Sequence, residues 1–224
     1  MNIWDHFSNF EQPQTPDDEG QCLVARCETG NIACDSYHNV ERDVAYAKAL
    51  NLDQYRFSIN WARILPTGEL NSGPNQPGVD YYNNLINGLI EVGIEPMITL
   101  FHWDLPYDLQ EAYGGFNSSL IVDDFNAYAN LCFGLFGDRV TKWMTFNEPH
   151  SYCWQGHDVG GFPPRFGDAT GANFYRCAHN MILSHAKAYR TYKEHHDRPG
   201  GEVSITINGF WGEPRDPTRF VDMG

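Results

Sequence analysis

Basic side chains are scarce in this 224-residue sequence: 15 Lys and Arg stand against 29 Asp and Glu, a formal net charge of −14. A polyanion would be repelled over most of such a surface, which excludes nucleic acid and anionic membrane surfaces as natural partners and leaves a neutral ligand. No apolar stretch reaches the roughly 18 residues of a membrane-spanning helix. The first 30 residues lack the basic-then-apolar pattern of a signal peptide, so the compartment stays open between secreted and cytoplasmic. Neither G-x-G-x-x-G nor G-x-x-x-x-G-K-[ST] follows any apolar run, which counts against nucleotide binding. No C-x-x-C pair or His/Cys cluster has zinc spacing, so no metal and no cofactor is expected. His195 and His196 are adjacent, and such neighbours do not share a helix face.

What is present is a core. Hydrophobic residues make up 42% and aromatics 14%, ordinary for a globular domain apart from the aromatic excess. Most of those rings are expected inside; some can stack on an apolar ligand face. There are six cysteines. Cys132 and Cys177 fall on apolar helix faces and read as buried thiols. Cys22, Cys27 and Cys34 sit in a loop-like stretch that has room for one disulfide, which leaves the compartment undecided. Asn117-Ser118-Ser119 is an N-glycosylation sequon, meaningful only in a secreted protein.

Residues 8–36 show no sustained periodicity and read as a long loop. A regular alternation then begins. Residues 41–50, 79–92, 119–136 and 172–195 carry apolar positions at steps of three and four and predict helices. The intervening runs 53–59, 95–101, 140–146 and 203–208 have strand length and composition. Buried apolar strands alternating with amphipathic helices imply a parallel sheet wrapped by helices. With nucleotide motifs missing, a (β/α)8 barrel is favoured over an open doubly wound sheet. No low-complexity linker divides residues 1–224, so they read as one domain.

Chemistry-bearing residues gather where the strands end, the rim that carries active sites in such barrels. The second run ends in Phe101-His102-Trp103-Asp104, the third in Phe146-Asn147-Glu148-Pro149, and the fourth in Asn208-Gly209-Phe210-Trp211-Gly212-Glu213-Pro214. A carboxylic acid on a rigid strand end suits proton delivery to a departing oxygen when burial or a neighbouring charge tunes it. A neighbouring Asn can hydrogen-bond a sugar hydroxyl. Glu148 could otherwise be an ordinary rim carboxylate, and His102 with Trp103 a packed core pair; their shared position at matching strand ends favours a sugar site. Arg56 lies inside the apolar run Tyr-Arg-Phe-Ser-Ile, where a buried charge needs a partner. It is either half of a structural ion pair or a lumen-facing cation that keeps a catalytic carboxylate ionised.

Taken with Ala33-Cys34-Asp35-Ser36-Tyr37-His38, Trp61-Ala62-Arg63-Ile64-Leu65-Pro66, Gly78-Val79-Asp80-Tyr81-Tyr82-Asn83 and Phe136-Gly137-Asp138-Arg139-Val140, these segments resemble glycoside hydrolase family 1, in its lactase and β-glucosidase branch. The resemblance runs from end to end of the chain in family order. It implies a TIM barrel and a retaining β-glycosidase acting on a small β-glycoside or oligosaccharide. Glu148 matches the acid/base, Asn147 the contact to the sugar 2-OH, His102 and Trp103 the glycone-binding positions, and Arg56 the arginine that supports the nucleophile. Myrosinases of the branch with Gln at the Glu148 position are disfavoured.

The family's opening strand, with Gln-Ile-Glu-Gly, and its nucleophile motif, Thr-Glu-Asn-Gly-like, have no counterpart here. The chain therefore matches barrel strands two to five with their helices, and the nucleophile is expected outside it. Retaining chemistry needs two carboxyl groups about 5–5.5 Å apart, so residues 1–224 alone are expected to be inactive. Two other readings remain: a catalytically inactive binding protein resembling the klothos, disfavoured by Glu148, and another barrel endo-glycanase, disfavoured by His102-Trp103-Asp104-Leu105-Pro106.

Overall fold

The computed structural model describes residues 1–10, 22–168, 170–209, 211, 213 and 215. Its frame is a four-stranded parallel sheet in the order β1 (Gln54–Ser58), β2 (Glu95–Phe101), β3 (Lys142–Asn147) and β4 (Glu202–Thr206). The order in space equals the order in sequence, as in a barrel segment rather than a doubly wound sheet. Among the described residues β1 and β4 each pair on one side only.

Helices return the chain from each strand to the next. They are α2 (Val40–Ala49), ahead of β1, then α4 (Gln76–Glu91), α6 (Ile121–Phe136) and α8 (Ala172–His195). In α4 the buried Val79, Tyr82, Leu85, Ile86 and Leu89 lie on one face, and Pro77 occupies the first turn, where its missing N–H is harmless. Gly93, at φ 81°, turns the chain out of that helix. In α6 the buried stripe runs through Ile121, Phe125, Tyr128, Ala129, Cys132, Phe133 and Phe136. Asp123 and Asp124 in its first turn oppose the helix dipole.

These elements match the sequence-predicted order, with ends displaced by up to three residues. Four short helices carried no periodic signal: α1 (Ile3–Asn9), α3 (Trp61–Ile64), α5 (Tyr107–Tyr113) and α7 (Pro149–Cys153). The expected loop at 8–36 overlaps the end of α1 and holds a 3-10 turn at Ala25–Cys27; its stretch 11–21 lies outside the described residues. So do Phe210, Gly212 and Pro214 of the fourth strand's tail.

The core lies between the sheet and α4, α6 and α8. Trp61 stacks on Tyr128 at 4.7 Å, and the Tyr128 hydroxyl reaches the carbonyls of Ile59 and Leu100 at 3.1 and 2.9 Å. A helix side chain thus ties together the points where the chain leaves β1 and where β2 ends. Burial pushes that hydroxyl's pKa well up, so it stays a neutral donor.

Two disulfides are present, Cys22–Cys27 and Cys153–Cys177. The second corrects the expectation of a Cys177 thiol: the partner is Cys153 at the end of α7, 24 residues away. Cys132 is a buried free thiol, as expected, and Cys34 is free and exposed.

Candidate active site

Because all four strands run parallel, their C-terminal ends open on one face. There the structure brings together residues from β1, β2 and β3, with Asn147 at the centre. Arg56, in the middle of β1, donates from Nε to Thr99 Oγ1 at 2.8 Å and from NH2 to Asn147 Oδ1 at 2.6 Å. Trp103, just beyond β2, donates its indole N–H to the Asn147 main-chain carbonyl at 2.8 Å. A guanidinium can only donate, so it fixes the amide: Oδ1 faces Arg56 and Nδ2 faces away.

Of the two sequence readings of Arg56, the structural ion pair is not found among the described residues. The side chain is exposed on the open inner face rather than buried. Its partners are a neutral hydroxyl and a neutral amide.

Glu148 follows β3 in a left-handed conformation, φ 48° and ψ 63°, and is half-buried. Such a φ is uncommon outside glycine and is held here by its neighbours. The Glu148 N–H donates to the Thr206 carbonyl of β4 at 2.9 Å, its carbonyl accepts from Tyr152 N–H at 3.1 Å, and Pro149 starts α7 directly behind it. Pairing of β3 with β4 also shifts register between Met144 and Asn147. Bulges of this kind commonly re-aim side chains beside active sites.

Trp103 has positive φ as well, 77°. Its ring lies beside His102, Phe162 and Tyr152 at centroid distances of 6.2, 6.1 and 6.4 Å. The His102 pKa is lowered, first by partial desolvation and then by the Arg56 charge, while the Glu148 charge opposes both. The imidazole, exposed toward the open face, therefore feels both the guanidinium and the carboxylate. Beneath it, Asp104 accepts the His102 backbone N–H at 3.1 Å, and burial raises its carboxyl to about 7 against its backbone donors.

Thr99 is the polar member that sequence reading missed. It is fully buried within a run read as wholly apolar, and a lone hydroxyl beside a cationic strand was the available signal. Tyr152 and His157 were missed too: Tyr152 is buried beside Trp103 and His157 is buried beside Tyr152, and among the described residues neither the Tyr152 hydroxyl nor either His157 ring nitrogen has a hydrogen-bond partner. Asn117 lies apart from this cluster, in a 3-10 turn (Gly115–Asn117) ahead of α6. His195 is exposed, whereas His196 bonds Asn130 at 2.8 Å. Among the described residues no group of three His, Cys, Asp or Glu could hold a metal ion.

Parallel strands in barrel order, with a carboxyl, an amide, an indole and a guanidinium grouped at their C-terminal ends, define the class: one side of an α/β barrel of the glycoside hydrolase type. The chain belongs to glycosyl hydrolase family 1, whose model matches residues 1–223. Human lactase/phlorizin hydrolase is 46% identical over 217 residues, 96% of this chain and 11% of that protein. A Trichoderma harzianum β-glucosidase structure superposes with a TM-score of 0.88 at 35% identity, covering 99% of this chain and 45% of its own. An aphid myrosinase structure reaches 0.87 at 40% identity, covering 99% and 45%. The chain thus spans less than half the length of the relatives it matches.

Proposed function

We propose that residues 1–224 are part of a single catalytic domain of a retaining β-glycosidase of the β-glucosidase type. Glu148 is its acid/base, and the nucleophilic carboxylate comes from outside these residues. The observation that carries the reading is the convergence on the Asn147–Glu148 step: Arg56 holds the Asn147 amide while Trp103 holds its carbonyl.

The chemistry follows from that arrangement. Glycoside cleavage passes through an oxocarbenium-like transition state, and the leaving oxygen needs a proton. The half-buried Glu148 delivers it, then takes a proton back from the water that releases the sugar. Because Arg56 occupies Asn147 Oδ1, the Nδ2 donor is left for a sugar 2-OH, a contact that strengthens in the transition state. Trp103 offers an apolar ring face and His102 a polar edge for the glycone. Arg56 supplies positive charge on the inner face, where it keeps the nucleophile ionised.

The test uses the full-length protein. Glu148→Gln is expected to lower kcat on an aryl β-glucoside by on the order of 10²–10⁴. Glu148→Ala with azide should return activity by forming a β-configured glycosyl azide. Unchanged turnover in Glu148→Gln would overturn the assignment of Glu148 as acid/base, and no turnover by the wild-type full-length protein would leave the binding-protein reading. The likeness to an aphid myrosinase makes a thioglucoside the second substrate to assay. A leaving thiolate needs less help from a proton donor, so a preference for thioglucosides insensitive to Glu148→Gln favours that reading.

A further inference from the structure

We propose that Asn117 carries an N-linked glycan, attached in the same oxidising compartment that forms the Cys153–Cys177 bond. Independent observations converge on this, and none depends on the glycosidase reading.

The first is the disposition of the sequon. Asn117 ends the 3-10 turn ahead of α6, and Ser119, at the obligatory hydroxyl position, is exposed along with Leu120. The preceding residue, Phe116, is fully buried, and its carbonyl is held by Asn180 Nδ2 at 2.9 Å. The chain is thus anchored inward at 116 and turns out at 117. Arg176, from α8, donates NH1 to Asn117 Oδ1 at 3.2 Å and to Asn173 Oδ1 at 3.2 Å. Arg has no acceptor, so the bonded atom of Asn117 is the oxygen, and Nδ2 is the end turned away. Nδ2 has no hydrogen-bond partner among the described residues. Replacing one of its hydrogens with a sugar breaks no native contact, and Arg176 keeps its acceptor.

The second observation is redox chemistry. Cys153 and Cys177 are fully buried, with Cα atoms 5.7 Å apart, within the span of an unforced disulfide. Met181 Sδ lies 3.5 Å from Cys153 Sγ and 3.9 Å from Cys177 Sγ, completing an apolar sulfur cluster between α7 and α8. A second bond, Cys22–Cys27, lies far from it in sequence. Two structural disulfides in one chain mark the secretory route rather than the reducing cytosol, and that route is where sequons are used.

Both steps balance. Two cysteine thiols lose two electrons and two protons to a disulfide oxidoreductase, which is reduced to its dithiol. The Asn117 amide nitrogen forms a bond to C1 of an oligosaccharide carried on a lipid pyrophosphate. The C1–O bond to the pyrophosphate breaks, and the amide proton passes to a base of the transferase.

The experiment takes the protein from its own source and alkylates it without prior reduction. A glycan-releasing amidase is then applied in ¹⁸O-water before peptide mapping. The expected result is an ¹⁸O-labelled Asp at position 117 together with a Cys153–Cys177 cross-linked peptide. Recovery of Asn117 unmodified, or of Cys153 and Cys177 both alkylated, overturns the proposal. As a second measurement, Ser119→Ala in the full-length protein, expressed through the secretory pathway, should lose the glycan at 117 while glycosidase activity stays unchanged. A glycan retained at 117 in that variant also overturns it.

Discussion

The indole N–H of Trp103 is bonded to the main-chain carbonyl of Asn147, 44 positions away in sequence, at 2.8 Å. A ring proposed to meet the sugar is thereby hung from the residue before the proposed proton donor. Trp103→Phe keeps an apolar face but strands that carbonyl. We expect about 1 kcal/mol less stability and a fall of roughly tenfold in kcat/KM of the full-length enzyme. Steady-state kinetics beside thermal unfolding will measure both; unchanged kinetics would show that the bond has no part in placing the site.

Asp104 gives a pH signature. Partial burial pushes its carboxyl up to about 7 in the folded chain, from 3.8 in the unfolded one. The folded state therefore binds more protons between those values, and stability must fall as pH rises from about 4 to 7. Partial exposure keeps the effect to roughly 2 kcal/mol. Asp104→Asn keeps an acceptor for the His102 N–H and removes the titration. Urea unfolding at pH 4.5 and 8 should show wild type losing stability, relative to the variant, at the higher pH.

His157 has the opposite sign. The ring is fully buried between Tyr152 and Phe166, at 5.5 and 5.3 Å, and burial lowers its pKa to about 3. The unfolded chain takes a proton near 6.5 that the folded chain refuses, so stability falls as pH drops from 6.5 toward 3. His157→Phe should flatten that acid limb. A melting temperature that declines equally in both proteins between pH 6.5 and 4 would rule out His157 as the cause.

The helix–strand order was legible because its signals are long. Sixteen residues of α4 or α6 repeat the apolar step often enough to be read. The helices α3, α5 and α7 are four, seven and five residues long, too short for any period to show. The candidate site residues were visible as types at strand ends; their bonds were not. That Arg56 would meet the Asn147 amide depended on a contact between strands, across 91 residues of sequence. A cysteine on an apolar helix face reads alike whether free, as Cys132 is, or cross-linked, as Cys177 is.

That cross-link is itself testable. Closing a loop with sequence separation 24 restricts the unfolded chain by about 3 kcal/mol in the chain-entropy account. The double variant Cys153→Ala/Cys177→Ala should lose about that much in denaturant unfolding of the full-length protein. Because α7 begins at Pro149, next to Glu148, kcat should fall more than KM rises. A loss of stability with kinetics untouched would separate the disulfide from the placement of Glu148.

The register slip between β3 and β4 has a consequence for parity. Trp143 and Phe146 meet Phe133 and Phe125 of α6, and Thr145 meets His185 of α8, so 145 and 146 both look outward to the helices. A strand keeping strict two-step alternation from Thr145 would send 146 inward and Asn147 outward, away from Arg56. The surplus residue flips the count, and the amide arrives on the inner side. Straightening this stretch without shortening it would thus turn Asn147 away from Arg56, whereas removing one residue along with the slip would leave the amide on the inner side.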